Sequence, residues 1–224
     1  MVRGGDGRGL TQWRERDSMF DGAIRKVIDP TLNRVGRALA ARGWGADGVT
    51  LAGLGLGLAL AALIAVGAAG WLALAVLALS RLADGLDGAV ARATTKTDFG
   101  GYLDIVADFL FYGAVPLAFV LRDPAANGVA GAFLLTSFYF NGASFLAYAI
   151  MAEKRGLQTS ARGEKSLYFT AGLLEGAETI AFFAVLCLWP GAFAALAWGF
   201  GALCFVTALA RVALARRVFG TGRS

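Results

Sequence analysis

The sequence predicts an all-α integral membrane protein, with six transmembrane helices, an N-terminal juxtamembrane amphipathic helix and both termini cytoplasmic. Three observations lead there. Of 224 residues, 57% are hydrophobic and only 17% charged, with a mean hydropathy of +0.61, whereas soluble domains carry roughly 25% charged residues. Charge-free apolar runs at Val49–Gly67 and Gly128–Met151 are each about long enough to cross a hydrocarbon core of roughly 30 Å. Lysine and arginine outside the spans fall on alternate connections. Nine precede Asp47, followed by Arg92 and Lys96, then Lys154, Arg155, Arg162 and Lys165, then four from Arg211 onward, while the opposite face has only Arg122. Short cytoplasmic segments collect such charge, so an even number of spans fits. The formal charge of +5 then reads as attraction to anionic lipid, with no nucleic acid partner.

Residues 1–17 are rich in Gly, Arg and Asp, without apolar periodicity or the apolar core of a signal peptide. They read as a cytoplasmic tail. From Met19 to Arg42, Phe20, Ile24, Val27, Ile28, Leu32, Val35 and Leu39 recur at helical spacing, while Arg25, Lys26, Arg34 and Arg37 lie largely elsewhere. That is the pattern of a helix on the membrane surface. Asp29-Pro30 divides it into two segments, and Gly43 is a natural stop. Span 1 is Val49–Gly67, where Gly53, Gly55 and Gly57 allow a neighbouring helix to approach closely. Spans 2 (about Gly70–Val90) and 3 (about Gly101–Leu121) carry charge at their adjoining ends, and span 4 is Gly128–Met151. The run Thr179–Ala210 holds most of two crossings and divides at Trp189-Pro190-Gly191. Cys187 and Cys204 lie within these last spans as small apolar fillers. The expected organisation is a tail and interfacial helix (1–47), a six-helix catalytic domain (48–213) and a basic tail (214–224).

The chain contains no histidine, which excludes histidine acid–base chemistry and histidine-ligated zinc. Its chemistry is carried by acids. Span 2 ends Asp84-Gly85-Leu86-Asp87-Gly88-Ala89-Val90-Ala91-Arg92, and span 3 opens Gly100-Gly101-Tyr102-Leu103-Asp104-Ile105-Val106-Ala107-Asp108. Asp84, Asp87, Gly88 and Ala91 share a helix face, as do Gly100, Asp104 and Asp108, so small residues leave room beside the acids. A short loop makes the two helices antiparallel neighbours. Counting from the loop, Asp84 and Asp108 form a layer roughly 12 Å deep, with Asp87 and Asp104 roughly 6 to 8 Å deep. Four carboxylates so close, at membrane depth, must be neutralised. Arg81 and Arg92 offset part of the charge; hard oxygen ligands in this number suit two divalent cations, Mg²⁺, Mn²⁺ or Ca²⁺, of the kind that clamp a pyrophosphate.

Asp84, Asp87-Gly88, Ala91-Arg92, Gly100, Asp104 and Asp108 resemble the signature of the CDP-alcohol phosphotransferase family, D-x-x-D-G-x-x-A-R followed by G-x-x-x-D-x-x-x-D. The resemblance covers about Asp47 to Arg211 and implies the six-span layout. It further implies transfer of a phosphoalcohol group from a CDP-alcohol to an acceptor alcohol, with release of CMP. Asp84, Asp87, Asp104 and Asp108 would bind two metal ions, and Asp108 would also be the catalytic base. Gly88, Ala91 and Arg92 would border the CDP moiety together with Asp84 and Asp87. In Asp47-Gly48-Val49-Thr50, many relatives carry Pro-Asn before the threonine; a nucleotide role for Asp47 or Thr50 stands beside the plainer reading of Asp47 as a helix N-cap. The run Ala107-Asp108-Phe109 with Gly113 and Pro116 is similar to phosphatidylserine synthases, but Asn141-Gly142-Ala143-Ser144 stands where that subgroup has a basic Arg-Phe-Asn stretch.

Arg162 and Lys165 before span 5, and Glu175 and Glu178 in its first turns, are candidates for the acceptor side. The expected partners are the CDP-alcohol donor, the acceptor alcohol and membrane lipid, and a homodimer is an open form of assembly. The expected location is a bacterial inner membrane, with the acids on the cytoplasmic side. Two other classes fit less well. A prenyltransferase would place its acidic motifs far apart, and a divalent-cation transporter would place acids near the midplane rather than at one end of the spans.

Overall fold

The structure, a computed structural model, describes residues 30–156 and 176–220. Regular structure among them is helical, with no strand. The elements are α1 (30–41), α2 (Ala46–Ala65), α3 (Gly70–Ala93), α4 (Asp98–Arg122), α5 (Pro124–Lys154), α6 (Gly176–Leu188), a 3₁₀ turn (Pro190–Ala192) and α7 (Phe193–Phe219). Four helices among the described residues are long and apolar enough to cross a membrane: α2, α4, α5 and the segment Pro190–Phe219. The 24-residue α3 has the length but carries Arg81, Asp84, Asp87 and Arg92. The 13-residue α6 is apolar and shorter. Asp29 and the tail before it lie outside the described residues.

Local chemistry sets the helix ends. The Gly43 N–H bonds the Ala40 carbonyl and the Trp44 N–H reaches back to Leu39, while Gly43 takes φ +83°. Gly67 at φ +73° does the same for α2, with Gly67 to Ile64 and Ala68 to Leu63. Both are glycine-terminated Schellman ends, where φ > 0 costs a residue without Cβ least. Thr97 caps α4 by accepting from the Gly100 N–H at 2.9 Å, and Asp123 caps α5 by accepting from Ala126 at 3.0 Å ahead of Pro124. The predicted break at Trp189-Pro190-Gly191 is the 3₁₀ turn.

The chain forms two compact units, one from residues up to Gly53 with Arg81–Ile105, the other from Leu54–Ser80 with Val106 onward. In the first, α1 crosses the last turns of α3 so closely that a Cβ on Gly36 would lie 2.8 Å from Ala89 Cβ.

The second unit holds the apolar core. Leu60, Leu77, Phe111, Phe119, Leu134, Phe183, Leu186 and Phe193 are among its buried members. Phe182 stacks on Phe200 at 4.1 Å and Phe119 on Phe193 at 4.8 Å, geometry that adds to area burial. Gly57 faces the Phe111 ring, and Gly201 faces Phe133. Gly55, in contrast, is exposed with open space around it, so of the expected packing glycines it takes no part in a helix contact. Within this unit Gly67 lies near Arg122, Gly70 against the Cys187 carbonyl, and Gly131 near Phe193. The turn after α2, the start of α3, the α4–α5 junction, the end of α6 and the start of α7 therefore share one end. At the end of α5, Arg155 donates to Val218 and Phe219 carbonyls at 2.9 and 2.7 Å, satisfying the last carbonyls of α7. Cys187 and Cys204 are buried free thiols, in keeping with apolar filling. Leu51, Leu79, Leu121, Val129, Val206 and Leu209 stand exposed, the surface that a hydrocarbon solvent favours.

Candidate active site

The acids occupy the last turns of α3 and the first turns of α4, joined by only 94–97, since both helices run further into the loop than their apolar limits indicated. A carboxylate oxygen of Asp84 lies within 4.8 Å of one on Asp104, and the same holds for Asp104 and Asp108, one turn apart on α4. Asp87 sits three residues after Asp84, about 60° away around the helix, and turns toward α2. There it is buried and accepts a 2.7 Å hydrogen bond from Thr50 Oγ1. Asp84 is half-buried and pairs with Arg81, Nη1 to Oδ1, at 3.5 Å. Asp104 is exposed and Asp108 half-buried.

These donors fit a divalent cation. Mg²⁺ holds oxygens at 2.0–2.1 Å, so two of its ligand atoms stand about 3 to 4 Å apart, a spacing that the measured limit between neighbouring carboxylates accommodates. With Oδ2 accepting from Thr50, Asp87 keeps its other oxygen and further lone pairs for such a set.

The small residues of the face have particular neighbours. A Cβ on Gly88 would stand 3.4 Å from Arg92 Nη1, and one on Gly100 would stand 3.1 Å from Asp47 Oδ1 and from Thr97 Oγ1. Ala91 is half-buried on α3. Asp47 is not the N-cap of α2: that helix starts at Ala46, leaving Asp47 in the first turn, where a carboxylate complements the helix dipole. Arg92 Nε and Nη2 donate to Asn33 Oδ1 at 3.3 and 3.0 Å. Asn33, Gly36 and Thr97 were missed by sequence reading; the one available signal was an Asn three residues before a Gly in a cation-rich helix.

Of the residues expected on the acceptor side, Glu178 is exposed in the first turn of α6. Arg162, Lys165 and Glu175 lie outside the described residues. The stretch Asn141–Ser144, which lacks a cation of its own, receives one from α7. Arg211 Nη1 lies 3.0 Å from the Asn141 carbonyl, 2.8 Å from Asn141 Oδ1 and 2.7 Å from Ser144 Oγ.

Membrane-length helices and an acidic centre suited to divalent metal define a class of metal-binding helical membrane protein. The chain belongs to the CDP-alcohol phosphatidyltransferase family, whose profile matches residues 45–214, and so to membrane transferases of phospholipid biosynthesis. An inner membrane protein of Escherichia coli, YnjF, is 45% identical over 196 residues, covering 87% of this chain and 94% of its own. Two solved structures share the fold, both of the phosphatidylinositol phosphate synthase PgsA1 from Mycobacterium tuberculosis. The one with CDP-DAG bound matches with TM-score 0.65 and 23% identity over 81% of this chain and 92% of that one. The other, in complex with manganese and citrate, matches with TM-score 0.62 and 24% identity over 81% and 87%.

Proposed function

We propose that this protein transfers a phosphoalcohol group, specifically phosphatidyl, from a CDP-alcohol such as CDP-diacylglycerol to an acceptor alcohol, releasing CMP. The observation that carries the reading is the approach of Asp84 to Asp104 within 4.8 Å, with Asp108 one turn further on α4, on residues that fulfil the family signature. Six crossings with both termini and the acids at the cytoplasmic face agree with the shared end of the second unit, whose connections carry only Arg122 as cation. The division into 1–47, 48–213 and 214–224 is the proposed organisation, and a homodimer the proposed assembly.

Asp84, Asp87, Asp104 and Asp108 would hold two divalent cations, Mg²⁺, Mn²⁺ or Ca²⁺, which when bound supply positive charge against the donor's diphosphate. Gly88 and Ala91 leave room on α3 for the nucleotide, and Arg92 presents a cation to it. Asp108, as catalytic base, accepts the acceptor's hydroxyl proton. The alcohol oxygen bonds to the β-phosphorus as the bond from that phosphorus to CMP breaks, and CMP leaves with the bridging oxygen. Positioning and charge suffice, so no covalent protein intermediate is required. Glu178, with Arg162, Lys165 and Glu175, is the proposed acceptor side.

The test is CMP release by purified protein given CDP-diacylglycerol and, separately, serine, inositol phosphate, glycerol phosphate and other alcohols. One acceptor should raise CMP release well above the water control. Absence of CMP with every acceptor, in protein that remains folded, contradicts the reading.

A further inference from the structure

We propose that Asn33, on α1, is a positioning residue for this transfer: its side-chain oxygen holds the Arg92 guanidinium in the orientation that meets the nucleotide. The proposal rests on the transfer reading above and adds to it a residue outside the family signature.

The geometry divides the guanidinium into two sides. Nε and Nη2 both donate to Asn33 Oδ1, at 3.3 and 3.0 Å. The remaining nitrogen, Nη1, lies over the bare face of α3, 3.4 Å from where a Cβ on Gly88 would stand. Asn33 thus occupies one edge of the fork and leaves the other toward the surface that the reading gives to CDP. A guanidinium is planar with fixed donor directions, so holding one edge fixes where the other points.

The helix that carries Asn33 is itself held in register. Gly36, one turn along from Asn33, is so close to α3 that a Cβ would lie 2.8 Å from the Ala89 carbonyl carbon, and Leu32 Cδ1 lies 3.6 Å from the Cβ position of Gly85. Ala89 is one turn before Arg92, so the Gly36–Ala89 and Asn33–Arg92 contacts are successive rungs between the same two helices. The exposed faces of α1 carry Arg34 and Arg37, with Arg42 exposed in the turn just after it, consistent with its outer side meeting anionic lipid. Its inner side does something else. Arg92 is exposed near the end of α3, where an unheld side chain samples many rotamers. Its ordering cost would then fall on substrate binding, and a partner that orders it beforehand improves affinity.

CDP does not change during transfer as much as the reacting phosphorus does, so the contribution is the same in ground and transition states. Loss of Asn33 should therefore raise KM for the CDP-alcohol while kcat stays within about twofold. An exposed hydrogen bond to a charged group is worth a modest amount, which corresponds to about 3- to 10-fold in affinity.

The experiment measures CDP binding by calorimetry in Mg²⁺, together with KM and kcat for CMP release, for the wild type, Asn33→Ala, Arg92→Ala and the double variant. Asn33→Ala should weaken CDP binding about 3- to 10-fold in the native background and add no further loss in the Arg92→Ala background. Should Asn33→Ala fail to fold, Asn33→Ser serves: it stays polar but is too short to reach Arg92, and the same loss is expected. Unchanged binding, an equal loss in both backgrounds, or a fall in kcat at constant KM overturns the proposal. A wild type that neither binds CDP nor releases CMP overturns the transfer reading, and the proposal with it.

Discussion

The Thr50 hydroxyl donates to Asp87 Oδ2 at 2.7 Å, across 37 residues of sequence. Of the signature acids, Asp87 is the buried one, and a buried carboxylate must be met by donors. The same hydroxyl oxygen lies 3.1 Å from the Ala46 carbonyl, so α2 presents it from its first turns with little freedom. Thr50→Val keeps the shape and removes the donor. Stability should fall by about 1.5 to 3 kcal/mol, the worth of a bond to a charged group. Divalent-ion affinity should fall about 10- to 100-fold, as when a partner that orients a ligand is lost. Thr50→Ser should restore most of both, read by thermal unfolding and by Mn²⁺ titration of CMP release.

Gly57 and Gly55 lie two residues apart on α2 and should respond oppositely. A Cβ on Gly57 would come 2.6 Å from the buried Phe111 ring, whereas Gly55 has open space around it. Gly57→Leu should destabilise by about 1 to 3 kcal/mol or more through overpacking, while Gly55→Leu leaves the detergent unfolding temperature nearly unchanged. Equal behaviour of the two variants would show that α2 is rotated from this arrangement.

At Gly88, the neighbour of any added side chain is Arg92 Nη1, 3.4 Å from the Cβ position. Gly88→Leu should both fill the nucleotide face and push the guanidinium aside. CDP affinity should drop at least about tenfold, with the unfolding midpoint little altered because that contact is the flexible end of an exposed side chain. Unchanged affinity by calorimetry would mean that CDP lies on another face.

Much of this arrangement was legible because its signals are local. Gly43 and Gly67 are glycines at positions that require φ > 0, and Trp189-Pro190-Gly191 breaks a helix by its own chemistry. Helical spacing likewise put Asp84, Gly88 and Ala91 on one face. Spacing left open which way each acid turns, because axial depth was counted without rotation: Asp87 turns toward Thr50, and Asp84 approaches Asp104. The α1 contact was hidden for a different reason. Its apolar spacing suits lipid and protein equally, so nothing in 30–41 alone marks Gly36 as touching Ala89 or Asn33 as holding Arg92. Gly55 shows the converse, since small size permits close approach without causing it.

Asp108 should differ from the other acids in role. It lies one turn beyond Asp104 on α4, and its proposed proton transfer is distinct from ion binding. Asp108→Asn keeps one oxygen ligand and removes the proton acceptor. Single-turnover CMP release should fall about 10²- to 10⁴-fold, with CDP affinity better preserved than in Asp84→Asn. An equal loss of affinity in both variants would make Asp108 chiefly a metal ligand.

The central claim is that the acids at the ends of α3 and α4 run metal-dependent phosphatidyl transfer. Its most direct test is CMP release from CDP-diacylglycerol and the best acceptor, measured on one preparation with Mg²⁺, after EDTA, and after Mg²⁺ is restored, beside Asp84→Asn. The account predicts release with Mg²⁺, loss in EDTA, recovery on restoration, and little release from Asp84→Asn at any Mg²⁺ concentration. Full turnover in EDTA, or wild-type release from Asp84→Asn, would contradict it.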